Sequence, residues 1–213
     1  TVHAILVNTA YNGMFEEAHE NFANETKEIW TDEVDTEVKS FAKDVDVTSK
    51  PFTIYISGID TYGKVSTISR SDVNMIVTVN PKTKQILMSS IPRDYYVTLA
   101  NKGKKDKLTH SGLAGPENTV KTMDNFLGID INYYARVNFT SLITMVDALG
   151  GIDLDSDSSF MAASGDSFRK GVQHVNGQKA LAFARERHAF GGGDNMRVKH
   201  QQDVLMAMLK KMM

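Results

Sequence analysis

The stretch from Ala184 to Gln202 holds the densest group of residues that could bind a phosphate. It reads A-R-E-R-H-A-F-G-G-G-D-N-M-R-V-K-H-Q-Q and contains three of the seven arginines in the chain. Arginine suits phosphate because its planar guanidinium stays charged and can donate two parallel hydrogen bonds. Asp194 follows three glycines and begins a predicted helix. The stretch therefore predicts an anion-binding site where two elements meet.

Arg185 and Arg187 constrain the backbone between them if both contact one ligand. Residues i and i+2 point about 200 degrees apart on a helix, whereas they share a face on a strand. We therefore expect the short helix over Q-K-A-L-A-F to end at Phe183 and the segment from Ala184 to be extended. The alternative is an exposed strand face whose arginines pair with acids.

The last predicted helix carries a stripe that changes from polar to apolar. Asp194, Arg197 and Gln201 lie within about 60 degrees of one another on a helical wheel. The stripe continues with three apolar residues, Leu205, Met208 and Met212. The amides of the first turn would add favourable dipoles for an anion. The alternative is a capping Asp194 on an ordinary amphipathic core helix, which leaves Arg197 unexplained.

Two acids flank Arg70 in the loop after a predicted strand. These acids, Asp60 and Asp72, would stand at the ends of neighbouring strands, where carboxylates can converge on a hard cation that also binds phosphate oxygens. The alternative is that both accept hydrogen bonds from turn amides. In the same loop, G-I-D-T-Y-G-K-V misses the phosphate-loop pattern because Val65 has no hydroxyl for a metal. The sequence therefore argues against a nucleotide-binding loop.

Other polar motifs give weaker indications. Arg93 and Asp94 follow a strand that ends in I-P, and they are either site residues or a surface ion pair. His110 and His188 are candidates to bind or orient a ligand, although neither has metal spacing to another histidine. The nucleophile pattern G-x-S-x-G is absent from the chain.

Composition bounds the function. The 213 residues, 41% of them hydrophobic, are enough for one sizeable core with a small appendage. Residues 1 to 50 carry eleven acids against four basic residues, so the remainder is mildly basic. That excess is far below what a nucleic-acid-binding protein usually shows, so we expect no nucleic-acid partner. The absence of cysteine excludes disulfides and thiolate chemistry.

The pattern of elements predicts an α/β fold with a mixed central β-sheet and helices on both faces. Strands are predicted at 3–7, 52–57, 73–79, 85–90 and 131–139 and at I-D-L-D after Gly150-Gly151, and helices at 116–127, 141–149, from 176 or 177, and from 194 to the terminus. Lys102 to Lys107 is predicted to be a solvated basic loop.

The first fifty residues are predicted to form an accessory element. A helix is expected from Met14 to about Val45, and Asp46 to Pro51 marks the boundary to the main domain at 51–213. No apolar run reaches the roughly 18 residues that would span a membrane. Since the chain opens directly on a strand pattern, we expect an upstream segment to precede it.

Taken in order, the motifs resemble those of the LytR-CpsA-Psr family, the cell-wall glycopolymer ligases of Gram-positive bacteria. The resemblance covers roughly residues 51 to 213. It rests on G-I-D, S-R-S-D, S-I-P-R-D, K-L-T-H, V-N-F-x-x-L-I-x-M-V-D-A-L-G-G-I-D, V-N-G-x-x-A-L-A-F-A-R-E-R and D-N-M-R-V-K-H-Q-Q. The acidic N-terminal stretch resembles the accessory domain of streptococcal capsule-type members.

The resemblance implies transfer of a glycopolymer, capsular polysaccharide first and teichoic acid second, from a polyprenyl pyrophosphate carrier to peptidoglycan. It further implies anchoring by one upstream membrane helix, with this chain on the outer face of the cytoplasmic membrane. The alternatives are a polyprenyl pyrophosphate phosphatase and a non-catalytic lipid-phosphate-binding regulator of capsule assembly.

The resemblance also implies roles for individual residues. Asp60 and Asp72 would bind Mg²⁺, with Mn²⁺ as the other candidate ion. Asp194 would be the base, and the apolar end of the last helix (Leu205, Met208, Met212) would line a channel for the lipid tail. The pyrophosphate would be held by Arg70, Arg93, Arg185, Arg187, Arg197 and Gln201, with Arg93, Arg185 and Arg187 also catalytic.

Overall fold

The computed structural model describes residues 3–8, 37–40, 45–187, 189 and 194–212, with the backbone alone at 3–8, 37–40 and 194. The chain divides into two compact units. Among the described residues, the first unit comprises those up to 139 and the second those from 140 onward. Each unit is considered by itself below.

The first unit contains eight strands, a 3-10 helix and an α-helix among its described residues. The strands are β1 (His3–Asn8), β2 (Glu37–Ser40), β3 (Phe52–Gly58), β4 (Val73–Asn80), β5 (Gln85–Ser90), β6 (Tyr96–Thr98), β7 (Lys105–Lys107) and β8 (Tyr133–Val137). The 3-10 helix spans Leu108–Ala114, and helix α1 spans Pro116–Leu127 with its proline in the first turn.

Six of these strands form one mixed sheet in the order β1-β5-β4-β3-β8-β2. Only β3 and β8 run parallel within it, and the other neighbours are antiparallel. A parallel pair needs a long crossover, and the segment between β4 and β8, which contains α1, belongs to that crossover. Strands β6 and β7 pair separately.

Alternation along β3 explains how the sheet builds its core. Thr53, Tyr55 and Ser57 are buried, while the residues between them are only partly buried. Tyr55 packs edge-to-face on Tyr134 of β8, with ring centroids 5.5 Å apart. Helix α1 adds buried side chains to the same cluster, among them Met123. One face of the sheet is therefore sealed by α1 and the loops beside it.

The second unit is built on smaller sheets and three helices in the part of the chain that is described. Helix α2 (Phe139–Ala148) leads into it, followed by β9 (Ile152–Ser156), β10 (Phe160–Met161), β11 (Ser167–Phe168), β12 (Gly171–Val175), α3 (Gly177–Arg185) and α4 (Asp194–Met212). Strands β9 and β12 pair antiparallel, as do β10 and β11. Helix α4 contacts both α3 and β9.

An aromatic cluster forms the centre of the second unit. Phe160 stacks on Phe168 at 4.9 Å between ring centroids, and Phe168 meets Phe183 edge-on at 5.2 Å. His200 of α4 lies against both Phe160 and Phe183, at 5.5 and 4.1 Å. Burial is the main effect on its pKa, which lies below the ordinary histidine value, although Asp203 and the backbone of Phe183 oppose this shift.

Most of the predicted elements are confirmed, and so is the predicted class of a mixed sheet flanked by helices. The β5 and α1 bounds agree with the prediction at both ends. The predicted helix from Met14 to about Val45 is wrong at Glu37–Ser40, which is a strand paired with β8. Pairing with an open sheet edge satisfies the backbone there and overrides a loose helical pattern. The rest of that prediction lies outside the described residues.

Two further boundaries differ from the sequence prediction. Helix α3 continues through Arg185 instead of ending at Phe183. Part of the predicted basic loop at 102–107 is strand β7, paired with β6. The accessory-domain division at residue 50 stays a prediction, although β1 and β2 pair with β5 and β8. No helix in the described part of the chain is both long and apolar enough to span a membrane.

Two leucines of the 3-10 helix give a matched test of the first core. Leu108 is fully buried, whereas Leu113 is 48% exposed. We expect Leu108→Ala to lower the free energy of unfolding by about 2–5 kcal/mol, since the truncation leaves a cavity. Leu113→Ala should cost less than about 1 kcal/mol. Urea unfolding of both variants measures the difference, and equal losses would contradict the packing described here.

Two histidines of the second unit should affect stability with opposite signs. Because the pKa of His200 is lowered by burial, its contribution to stability is lost as pH falls through the ordinary histidine range. The pKa of exposed His174 is raised, first by its hydrogen bond to Asp153, so it stabilises the fold at low pH. Between pH 7.5 and 5.5, His200→Phe should therefore lose less stability than wild type, and His174→Gln should lose more. Chemical unfolding across this range tests both signs.

Candidate phosphate-binding site

A pocket of about 290 Å³ in the first unit brings together three of the predicted site residues, Arg70, Asp72 and Arg93. The remaining lining residues are Asp94, Lys107, Thr109 and His110. The lining residues come from three segments of the chain: the loop after β3, the turn after β5, and the end of β7 with the start of the 3-10 helix.

Backbone hydrogen bonds tie these segments together. Ser71 N–H donates to the Thr109 carbonyl at 3.1 Å, and Thr109 N–H donates to the Arg93 carbonyl at 2.9 Å. Asp72 N–H donates to the carbonyl of Gly58, the last residue of β3, at 2.8 Å. Main-chain contacts therefore set the positions of the segments that carry the pocket side chains.

Ser71 anchors the loop that carries Arg70 and Asp72. It is fully buried, and its hydroxyl lies 2.7 Å from Ser57 Oγ and 2.6 Å from Asn74 Oδ1. Asn74 Oδ1 also accepts a hydrogen bond from Tyr55 Oη. Buried polar groups need such partners, because an unsatisfied one costs roughly 1–3 kcal/mol. The loop is thus held by a buried polar network on the core face of the sheet.

Gly112 of the 3-10 helix allows this loop to pass closely. A Cβ atom at Gly112 would lie 2.7 Å from the Ser69 carbonyl oxygen and 2.8 Å from the Ser71 nitrogen. Both are backbone atoms, which cannot rotate away as a flexible side chain could. Glycine is therefore required where the helix meets the loop.

The pocket carries an excess of positive charge, with three basic side chains against two carboxylates. Arg93 Nη1 donates to Asp72 Oδ1 at 2.6 Å, and Lys107 Nζ donates to Asp94 Oδ1 at 2.7 Å. The hydrogen bond from Lys107 is the largest of the effects that lower the pKa of Asp94. Arg70 is exposed. Each acid orients the cation beside it, and the surplus of positive charge suits the pocket to a phosphate.

Asp60 and Asp72 carry the carboxylate oxygens that Mg²⁺ takes as ligands, and a substrate and water would supply its remaining ligands. Asp60 is exposed and follows β3 by two residues, while Asp72 is bonded through its backbone to the end of that strand. Within the described residues, no three His, Asp or Glu side chains are grouped to hold a metal. Mg²⁺ commonly takes one or two carboxylates and completes its shell with phosphate oxygens and water. Asp72 lines the anion pocket and Asp60 lies two residues after β3, so metal binding by this pair stays a prediction.

Sequence reasoning missed Arg136, whose only signal was a lone arginine in the apolar run Y-Y-A-R-V. Its side chain is on β8 and only 4% of the residue is exposed. Nη2 donates to the Ser69 carbonyl at 3.4 Å, next to Arg70, and Nε has no hydrogen-bond partner among the described residues. It therefore places a buried positive charge under the loop. Lys107 and Thr109 were missed as well, since only tertiary contacts bring them to the pocket.

In the second unit, the two predicted arginines flank a buried acid. Helix α3 ends at Arg185, and Glu186 is extended, with φ −63° and ψ 132°. Glu186 is 3% exposed and accepts hydrogen bonds from the N–H groups of Ala163 and Ala189, at 2.7 and 2.9 Å. Arg185 is exposed and Arg187 is half-buried. Glu186 thus fixes the chain between the two arginines, a role that the sequence did not indicate.

Helix α4 begins at Asp194 as predicted. The face of the helix with the most buried side chains differs from the predicted stripe. Arg197 is 7% exposed, and Gln201 is half-buried while Gln202 is the buried glutamine. Of the lipid-tail residues, Met208 is buried, and Leu205 and Met212 are half-buried. The buried line runs through Arg197, His200, Val204 and Ala207. His200 and Gln202 are buried, although a pattern that divides residues into apolar and polar would place both on the surface. The side chain of Asp194 and all of His188 lie outside the described residues.

The structure therefore groups Arg70, Asp72 and Arg93 in one pocket of the first unit, with Asp60 nearby in sequence at the end of β3. Arg185, Arg187, Arg197 and Gln201 belong to the second unit. Their roles in binding a ligand stay predictions.

Comparisons with known proteins identify the family of this chain. The LytR_cpsA_psr family model matches residues 10–213. A polyisoprenyl-teichoic acid–peptidoglycan teichoic acid transferase TagU from Bacillus mycoides is 40% identical over 164 residues, which are 76% of this chain and 53% of that protein. This chain thus spans about half the length of the curated relatives it matches.

Solved structures share the fold. The crystal structure of B. subtilis TagV has a TM-score of 0.67 and 38% identity, covering 76% of this chain and 65% of that one. A structure of TagT bound to LI-WTA has a TM-score of 0.66 and 30% identity, covering 81% and 69%. With the family match extending over most of its length, the chain belongs to the LytR-CpsA-Psr family.

Proposed function

We propose that this protein transfers a glycopolymer from a polyprenyl pyrophosphate carrier to peptidoglycan, forming a phosphodiester. The observation that carries the proposal is the pocket in which Arg70, Arg93 and Lys107 stand beside Asp72. Family membership adds the reaction class, because a relative 40% identical is named as a teichoic acid transferase acting on peptidoglycan. Phosphoryl transfer depends mainly on positioning and charge neutralisation, which such a pocket supplies.

The proposed donor is a glycopolymer linked to a polyprenyl carrier. The named relatives transfer teichoic acid, so a teichoic acid linked to a polyprenyl carrier is the first donor to test. Capsular polysaccharide, expected from the acidic N-terminal stretch, is the second. We also place the protein on the outer face of the cytoplasmic membrane of a Gram-positive bacterium, anchored by a helix upstream of this chain.

Individual residues take the following parts in the proposed reaction. Arg70 and Arg93 bind phosphate oxygens and neutralise charge that develops as the bond to the leaving group breaks. Arg185, Arg187, Arg197 and Gln201 are assigned pyrophosphate contacts by the family resemblance. Asp60 and Asp72 would hold Mg²⁺, which when bound would supply further positive charge at the phosphate oxygens. Leu205, Met208 and Met212 would contact the lipid tail.

Asp194 is the candidate base by the same resemblance. It would accept the proton of the acceptor sugar hydroxyl as that oxygen attacks phosphorus. An ordinary aspartate has a pKa near 4, which makes it a weak base for an alcohol.

A reconstituted reaction tests the function. Purified protein is incubated with a polyprenyl pyrophosphate-linked teichoic acid, Mg²⁺ and peptidoglycan fragments, and the products are separated by mass. We expect a glycan–peptidoglycan conjugate, with its yield reduced by EDTA and restored by Mg²⁺ or Mn²⁺. Release of phosphorylated glycan without conjugate would instead identify a phosphatase, and tight donor binding without turnover would identify a regulatory binding protein.

The arginines of the second unit offer a separate test. Arg185→Ala and Arg187→Ala should each lower kcat/KM for transfer roughly 10²–10³-fold, as removal of a charge-stabilising donor does in other enzymes. Thermal stability should change little, because Arg185 is exposed and Glu186 holds the segment. Arg169→Ala is the matched control, since Arg169 is also exposed and belongs to the same unit. Normal transfer by the folded Arg185 and Arg187 variants would refute this assignment.

A further inference from the structure

The pocket contains an oriented histidine that the family resemblance does not assign. His110 lies in the 3-10 helix with 28% of its side chain exposed, and it is one of the pocket-lining residues. Its Nδ1 is 2.9 Å from Oδ1 of Asp106, four residues earlier at the centre of β7. A histidine paired through one ring nitrogen to a carboxylate is the arrangement that proteins use to present the other nitrogen to a substrate.

Asp106 is suited to fix the tautomer of this histidine. The hydrogen bond from the Lys107 N–H, and next the one to His110, lower the pKa of Asp106, so the carboxylate stays ionised. An ionised carboxylate only accepts hydrogen bonds, which requires neutral His110 to carry its proton on Nδ1. The lone pair then resides on Nε2, the nitrogen that is free to accept a proton.

The backbone holds this pair at the pocket. Leu108, two residues before His110, is fully buried and donates its N–H to the Tyr95 carbonyl at 2.8 Å. Thr109 is bonded on one side to Arg93 and on the other to Ser71. His110 is thus attached directly to the segments that carry the phosphate-binding arginines. The backbone thus fixes the position of His110, and the contact to Asp106 orients its ring.

We propose that His110, oriented by Asp106, accepts the proton of the acceptor sugar hydroxyl in the transfer reaction. The inference rests on the proposed function and replaces Asp194 in that one step. The hydroxyl proton passes to Nε2 while the sugar oxygen bonds to the phosphorus next to the glycan. The bond from that phosphorus to the bridging oxygen breaks, and polyprenyl monophosphate leaves with the electron pair. His110 then returns its proton to water.

Base strength favours a histidine in this role. Histidines ordinarily titrate near pH 6.5 and carboxylates near pH 4, and a base whose pKa is close to the working pH is the more effective one. The charged groups that face the pair from neighbouring elements have both signs. They are Arg70 and Asp72 from the loop after β3, Arg93 and Asp94 from the turn after β5, and Lys102 and Lys107 around β7.

Variants of the full chain in the reconstituted transfer assay test the proposal. At saturating donor, His110→Gln should lower kcat roughly 10²–10⁴-fold, the range for loss of a general base, with donor binding changed less than threefold. Added imidazole should restore part of the activity of His110→Ala. His174→Gln, which removes another histidine hydrogen-bonded to an aspartate, should transfer at the wild-type rate.

The pH profile separates a base from a structural residue. Wild-type kcat should have an acid limb, and Asp106→Asn should lower kcat, because His110 then loses the carboxylate that orients its ring. The limb should persist in Asp194→Asn and be lost in His110→Gln.

Three results would overturn the proposal. They are a limb unchanged in His110→Gln, a limb abolished by Asp194→Asn, and a loss of donor binding in His110→Gln equal to its loss of turnover. Absence of transfer by the wild-type protein would instead refute the proposed function itself. The wild-type assay shows this outcome before any variant is measured.

Discussion

The buried hydroxyl of Ser71 is the contact on which the pocket depends. The hydroxyl contacts Ser57 of β3 and Asn74 of β4, and the backbone N–H of Ser71 donates to the Thr109 carbonyl. Burying a charged side chain costs free energy unless it is paired, whereas a neutral hydroxyl needs only hydrogen-bond partners. Ser71 holds the loop in this way, and its neighbours Arg70 and Asp72 both line the pocket. Gly112 completes the arrangement by leaving room for the loop backbone.

The same separation of anchor and ligand group recurs in the second unit. Glu186 is buried and bonds to backbone amides on two sides, while Arg185 beside it is exposed and Arg187 is half-buried. In both places the middle residue, Ser71 or Glu186, holds the backbone in position. The residues on either side of it carry the charges proposed to bind the ligand. Stability therefore depends mainly on Ser71 and Glu186, and activity depends on the charged residues beside them. A substitution that removes one of these charges should lower activity with little unfolding of the protein.

The periodicity of apolar residues and the positions of turn residues predicted those helices and strands whose contacts are close in sequence. The β4–β5 hairpin and α1 follow from alternation, a turn sequence and a proline in the first turn, and Arg70, Asp72 and Arg93 were found because they follow strands. The edge strand Glu37–Ser40 was missed, since its partner β8 lies nearly a hundred residues away. Lys107, Thr109 and Glu186 were missed for a related reason: their positions come from tertiary hydrogen bonds that leave no local pattern. The buried stripe of α4 was misplaced because His200 and Gln202 pack inside.

Arg136 gives the pocket a property that its exposed cations cannot. Salt screens surface charges over about 10 Å at 0.1 M, but it screens a buried charge much less. Arg136 is 4% exposed as a residue, and its guanidinium donates to the carbonyl of Ser69, which precedes Arg70. Its electric field thus reaches the loop mainly through protein and less through electrolyte. Salt therefore weakens this part of the attraction for anions less than it weakens the attraction by exposed arginines.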